Sequence, residues 1–537
     1  MVNIIDPKVE VVDYGPKIVV DGQVVMTPDQ VVYSASGITF KDTDFFQQAR
    51  DQIAAEQITP EKMRDNLINS AGAGHASLAT TPFLWLAVKG DASKMVDSMF
   101  TGAVYSTSLM PSGRRIPVAE DQIVVPRGIA HKGASAIERY LKTSEANIDA
   151  YEQLMKQGVK KEEAAKIVQY GHRGGGFLGM PLETVASFAR QFKENKDAIP
   201  REGLEIIAQI EDFIHSHGMG ITYAARMNAP RESCPNPGIF HYGRNLTELV
   251  EMGRVLVNPV LMDVECFDNP ERDKKIKKYL ERRQKVFSDP ENLHKNWRGL
   301  LAELGDIVNE FNDSVSVTTL SNSPWRVWGE VKRHRTLDQT AESVYCAARR
   351  TLELVKKTGV YITQGNKEQV RKLSEDYEEV FSMPPSIKGD DDKLRFWIGR
   401  VVDSFETYDT LVSLGVAESD AIHVIPRGMK FGIQKRFDLY NLTTGYMSLR
   451  LCDTCEPEMK RTTELERRLV IESRSVPDAI KELLTPKCSY VGFCPEGDYD
   501  KRCCKQVRLY VPGYDKDVHT LTQQARKAEI IRQIGEK

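Results

Sequence analysis

The sequence predicts an α+β chain built as two tandem modules, each a sheet packed with long helices. The first observation behind this is an internal repeat. "AYEQLMKQGVKKEEAAKIV" (residues 150–168) and "TYDTLVSLGVAESDAIHVI" (residues 407–425) share a Tyr, a Leu three residues on, and Gly-Val seven and eight residues on. Two amphipathic helices can match by chance, but the shared Gly-Val register favours duplication. The second observation is the helical periodicity leading into each segment. Ile137, Tyr140, Leu141, Ile148, Tyr151, Leu154 and Met155 share one helix face, as do Val402, Phe405, Tyr408, Leu411 and Val412. Gly158 and Gly415 then read as helix stops. The third observation is a pair of strand-like runs, "PFLWLAVKGD" (82–91) and "SVSVTTLSNSP" (314–324), each ending in turn residues before a helix-like segment.

These signals divide the chain into a first module over 1–235, a connecting segment over 236–290, a second module over 291–485, and a cysteine-rich tail over 486–537. A length of 537 residues exceeds one ordinary core, in keeping with two modules. The connecting segment contains "NPERDKKIKKYLERRQKVFSDPENL", which reads as a surface helix laced with i,i+4 charges.

Composition excludes several classes. Hydrophobic residues make up 41% and charged residues 28%, as in a globular chain. The net charge of −3 supplies no overall attraction to nucleic acid or anionic membrane. No apolar run is long enough to span a bilayer, and the N-terminus lacks a basic and an apolar signal region. A cytoplasmic location is expected.

Two clusters carry chemistry. In "VKRHRTLDQTAES" (331–343), Arg333, His334 and Arg335 stand in a row. Neighbouring cations repel, and desolvating them is costly without an anionic partner. A phosphate or an electron-rich ring would serve; so would a salt-bridge cluster. The second cluster is Cys452-x-x-Cys455 with Cys488, Cys494, Cys503 and Cys504. Thiolates so grouped can hold zinc or an iron–sulfur centre through Cys452, Cys455, Cys488 and Cys494, or remain buried thiols.

Arg-His-Arg, seven residues, then Ser resembles the signature of the flavin-dependent thymidylate synthases, the ThyX family. The approach "SVSVTTLSNSPWRVWGEVKRHR" and the downstream "LGVAESDAIHVIPRGMKFGIQKRFDLYNLTTGYMSLRLCDTCEPEMKR" resemble the family's series, with Leu449 and Arg450 matching its Leu-Arg step. The resemblance implies an enzyme that methylates dUMP to dTMP. FAD would be the cofactor, with NADPH and methylenetetrahydrofolate as cosubstrates. Arg333, His334 and Arg335 would face the flavin, and Ser343 and Arg450 the reacting nucleotide. Glu330, Arg427, Ser112 and Arg114 would line the substrate site. The first module resembles an eroded copy: counted without a gap, the Arg-His-Arg positions fall on Thr101, Gly102 and Ala103. A double-length chain then implies a homodimer that mimics the family's tetramer.

The departures are specific. Where the family continues Ser-x-Arg, this chain has Ser343, Val344 and Tyr345. A second phosphate-binding arginine of the family falls near Ile422 or His423, with Arg427 close by as a substitute. Two missing cations at a phosphate remove roughly 1.5–3 kcal/mol each. Flavin binding is thus better supported than dUMP binding. Another pyrimidine nucleotide, or a non-catalytic flavin- or nucleotide-binding role, stays open.

Overall fold

The computed structural model describes residues 2–38, 44–54, 58–103, 105–112, 116–230, 236, 238–243, 246, 258–497, 499 and 504–534. Mixed helix and sheet are found, as the α+β expectation requires. Two four-stranded sheets repeat one strand order. In the first, β1 (Pro7–Gly15), β2 (Phe83–Gly90), β3 (Thr107–Leu109) and β4 (Gly176–Pro181) lie in the order β1-β2-β4-β3. In the second, β5 (Val260–Cys266), β6 (Val315–Pro324), β7 (Asp338–Ala341) and β8 (Lys430–Phe437) lie in the order β5-β6-β8-β7.

The opening strands also share a local device. Strands β1 and β5 each pair antiparallel with the next strand, and each shifts register just before an aspartate, between Val11 and Asp13 and between Leu261 and Asp263. A bulge takes an N–H out of the ladder, and a nearby side chain can satisfy it. Asp13 accepts the Tyr14 N–H at 2.8 Å, and Asp263 accepts the Val264 N–H at 2.9 Å.

The chain divides into two compact units. One comprises residues 1–245, 324–335 and 341–431; the other comprises 246–323, 336–340 and 432–537. These units follow packing, and their bounds differ from those of the sequence modules. In the first unit the elements that matter are helices α1 (Met95–Phe100), α2 (Ala134–Lys156), α3 (Trp325–Val331), α4 (Val344–Gln364) and α5 (Asp391–Ser413). Trp325, Trp328 and Trp397 are fully buried in it.

Helices α2 and α5 meet through buried polar pairs. The Thr143 and Thr407 hydroxyls lie 2.7 Å apart, and Asn147 Nδ2 donates to Ser404 Oγ at 3.0 Å. Asn147 and Ser404 are separated by 257 residues, the interval that also relates the two repeated segments. Gly158 and Gly415, at φ of 84° and 79°, end the helices in the left-handed conformation that a side chain would resist. Beyond them the contacts become reciprocal. Gly171 N–H donates to His423 O at 2.9 Å, and Gly428 N–H donates to Lys166 O at 2.8 Å. In both pairs the partners exchange places under the same interval, as in an isologous interface.

Three expectations change shape. The connecting segment 236–290 contains β5, an edge strand of the second sheet, and the helix Pro270–Phe287. The strand "VLMDVEC" opens with three apolar residues in a row, so it lacks clean apolar–polar alternation, which a bulged edge permits. The segment 486–537 is packed into the second unit: Lys487 N–H donates to Ser448 O at 3.0 Å, and Cys494 N–H to the Tyr514 hydroxyl at 3.1 Å. The buried face of α2 includes Thr143, Ser144 and Asn147. A hydrophobicity count misses them; Thr143 and Asn147 find their partners on α5. Among the described residues no helix is long and apolar enough to cross a membrane.

Replacing Asn147 with Ala leaves the buried Ser404 hydroxyl without its cross-helix donor. The expected cost is about 1–2 kcal/mol, read from the denaturant midpoint by tryptophan fluorescence.

Candidate functional site

Helix α3 is seated by two backbone bonds: Trp325 N–H to Met429 O at 2.7 Å and Arg326 N–H to Arg427 O at 2.9 Å. It ends at Val331, and His334 N–H donates back to Val331 O at 3.0 Å. Arg333, His334 and Arg335 therefore occupy the turn after the helix, not a helical face. Cations at a helix C-terminus are favoured by its dipole, and a turn spreads charges that a helix would stack. Between the motif and Ser343, Asp338–Ala341 form β7.

The repulsion expected of this run is met by a carboxylate from the first half of the chain. Asp97, on α1, has Oδ2 3.4 Å from Lys94 Nζ and Oδ1 3.5 Å from Lys332 Nζ and 3.6 Å from Arg333 Nη2. Lys332 is fully buried and also donates to the Asp97 carbonyl. Lys94, equally withdrawn from solvent, donates to Pro111 O at 2.6 Å. Burial alone would raise the Asp97 pKa, but Lys332, Lys94 and Arg333 outweigh it and hold the carboxyl well below its ordinary 3.8. Burial pushes the Lys332 ammonium down to about 8 against the pull of Asp97. Arg335 Nε donates to Ala103 O at 3.2 Å, and its Nη2 is buried with no hydrogen-bond partner among the described residues.

Ser343 lies at the end of β7 as the N-cap of α4, not within a helix; it is fully buried and accepts the Tyr345 N–H at 3.2 Å. The amino end of α4 is closed further by the Ile239 carbonyl, which accepts the Val344 N–H at 3.0 Å. Tyr345 donates its hydroxyl to Ala198 O and packs on Tyr242 at 5.0 Å. One residue before Ser343, Glu342 is fully buried and takes a bidentate pair from Arg350, at 2.7 and 3.1 Å. At the second departure, His423 Nδ1 lies 3.0 Å from Asp420 O and Nε2 3.4 Å from Glu202. Arg427 is buried too; its Nε donates to Val168 O at 3.1 Å, and its Nη2 has no partner among the described residues. Burial lowers its pKa to about 10.

Glu330 is half-buried on α3. Ser112 is half-buried, with its carbonyl accepting the Ile116 N–H at 3.0 Å; Arg114 lies outside the described residues. Arg450 ends α6 (Tyr446–Arg450) in the second unit and donates to Cys455 Sγ at 3.9 Å. Cys452, Cys455, Cys488 and Cys494 are buried. Among the described residues no three His, Cys, Asp or Glu side chains gather as metal ligands. Burial pushes the Cys488 thiol up to about 12, so it stays protonated. Cys503 lies outside the described residues.

The backbone also sets the register between the halves. Lys94 N–H donates to His172 O and Trp325 N–H to Met429 O, both at 2.7 Å, and His172 and Met429 stand at the 257-residue interval. Lys94 and Trp325 are thus counterparts. This moves the first-half counterpart of Arg333 from Thr101 to Gly102 and sets Ser112 opposite Ser343. Sequence reasoning missed Asp97, Lys94 and Glu342. Lys332 was visible in "KRHR" but carried no separate signal.

Residues 313–473 match the family model described as Thymidylate synthase complementing protein. This region of the chain is similar to flavin-dependent thymidylate synthases. A flavin-dependent thymidylate synthase of Pyrococcus furiosus is 25% identical over 222 residues, covering 40% of this chain and 88% of the relative. One from Pyrococcus horikoshii is 27% identical over 180 residues, covering 33% and 73%. Among solved structures, the UMP/dUMP methylase PolB from Streptomyces cacaoi bound with 5-Br dUMP overlaps 43% of this chain and all of its own, at 13% identity and a TM-score of 0.31. The family span contains Arg333, His334, Arg335, Ser343, Arg427 and Arg450, whereas Ser112 and Arg114 lie outside it.

A carboxyl whose folded pKa lies below its unfolded value stabilises the fold fully above the unfolded value and loses that contribution as pH falls. Stability should therefore drop below about pH 4 more steeply in the natural protein than in Asp97→Asn. The check is acid unfolding of both, followed by circular dichroism; equal slopes would remove Asp97 from the acid response.

Proposed function

We propose that the chain is a flavin-dependent thymidylate synthase-type methyltransferase built from two tandem modules, converting dUMP to dTMP. The observation that carries this is the Arg-His-Arg turn: it lies within the family span and ends in a buried guanidinium N–H with no acceptor among the described residues. FAD fits such a donor set, because its ring edge and phosphates are acceptors. When bound, the flavin carries reducing equivalents from NADPH to the carbon delivered by methylenetetrahydrofolate. Arg333, His334 and Arg335 hold and orient the ring. Arg450, a planar fork, suits the paired acceptors of a pyrimidine.

Tandem duplication is supported by the matching strand orders, the twin Asp-capped bulges and the reciprocal backbone bonds beyond α2 and α5. The halves then complement one another. The second keeps the Arg-His-Arg turn, and its Ser343-Val344-Tyr345 has lost the arginine. The first has lost Arg-His-Arg and keeps Ser112-Gly113-Arg114 at the matching register. Lys94 supports a composite site, since it bonds the Pro111 carbonyl on one side and Asp97 on the other. We propose that Ser112 and Arg114 take the substrate phosphate, with Glu330 and Arg427 as further wall, and that two such chains pair as a homodimer.

A second reading is favoured by the closed end of α4. Ile239, Tyr345 and the engaged His423 leave no added cation at the phosphate positions of the second half. The same flavin chemistry on another pyrimidine nucleotide fits that arrangement.

Tritium release from 5-labelled dUMP, with FAD, NADPH and methylenetetrahydrofolate, tests both readings. Release from dUMP supports the first; release from labelled UMP alone supports the second; FAD binding without release from either refutes both. Arg450→Lys should lower kcat/KM by about tenfold to a hundredfold through loss of the fork, about 1.4–3 kcal/mol.

A further inference from the structure

The Arg-His-Arg turn does not hold itself in place. It follows a seven-residue helix, and its cations repel one another. What opposes this is Asp97, contributed by a helix 235 residues earlier in the chain, as counted to Lys332. Its carboxylate lies within 3.4–3.6 Å of Lys94, Lys332 and Arg333, and its carbonyl accepts from Lys332. Thr101 adds a hydroxyl bond to the same carboxylate at 3.2 Å, so its lone pairs are directed from several sides. A few residues on, the Ala103 carbonyl takes the Arg335 Nε at 3.2 Å. The stretch from α1 to Ala103 thus grips the turn at three successive cationic side chains while leaving Arg333 partly exposed, at 39%. This stretch is where the first half has no Arg-His-Arg of its own.

We propose that Asp97 is a positioning residue for the Arg-His-Arg turn: through Lys332 and Arg333 it fixes the direction of the guanidinium that the flavin meets. The lost motif of the first half is then replaced by a support for the motif of the second. This rests on the flavin reading above for its ligand, but the fixing of the turn stands on the ion pairs alone.

The test uses the full-length chain and two readouts. The first needs no flavin: limited trypsin digestion, scoring cuts after Lys332, Arg333 and Arg335 by mass spectrometry. The second is FAD titration by fluorescence. Asp97→Asn should speed nicking in the turn and weaken FAD binding, each by about tenfold or more, the scale on which supporting partners of ligand-holding side chains act. Asp97→Glu, which keeps the charge, should restore most of both. If Asp97→Asn fails to fold, Asp97→Asn with Lys332→Met removes the buried cation along with its anion and should show the same loosening of Arg333. In an Arg333→Ala background, Asp97→Asn should change FAD affinity by less than about twofold, because the two act as one unit. Nicking and FAD affinity both unchanged in Asp97→Asn would overturn the proposal. So would an undiminished effect of Asp97→Asn in the Arg333→Ala background. A natural protein that binds no FAD, with a turn still loosened by Asp97→Asn, would refute the flavin reading and uphold the positioning one.

Discussion

One carboxylate organises the candidate site. Lys94, Lys332 and Arg333 converge on Asp97, and without it a fully buried ammonium would face other cations with no counter-charge. Uncompensated burial of a charge is among the most costly events in a fold. The turn that carries Arg-His-Arg can therefore take this shape only when α1 stands beside it. A residue from the first half of the chain thus holds the motif carried by the second.

The same dependence appears in the helices. The α2–α5 contact joins polar residues that either half alone would have to expose or bury unpaired: Thr143 with Thr407, and Asn147 with Ser404. Buried hydroxyls and amides are tolerated because each finds its partner across the contact. The reciprocal bonds of Gly171 and Gly428 make the arrangement self-complementary, as a duplicated chain permits. In the second unit a comparable role falls to Lys435 and Glu466, a buried pair at 2.6 Å joined by the Thr319 hydroxyl.

The site was legible in part. The spacing of Arg333, His334, Arg335 and Ser343 is contiguous in the chain, so it could be read directly. Tyr345 in place of an arginine was legible for the same reason. Its consequence was not: only folding brings the Ile239 carbonyl and Ala198 to the amino end of α4 and seals it. The four cysteines illustrate the reverse case. Their spacing suggested thiolate ligands, whereas only folding shows that Cys452, Cys455, Cys488 and Cys494 are all buried and that burial raises the Cys488 thiol pKa.

By itself the sequence determined the α+β class, the similar segments 257 residues apart, the helix-ending glycines, and the motif that lies within the matched family span. Each is a local or periodic signal, set by backbone preference and side-chain spacing along one segment. Tertiary structure decided that the motif sits in a turn, that β5 bulges at the edge of the second sheet, that the halves align at Ser112 and Ser343, and that Asp97 holds the cations. These rest on pairings between residues hundreds of positions apart. Electrostatic compensation and hydrogen-bond satisfaction act through space, and no periodicity along the chain records them.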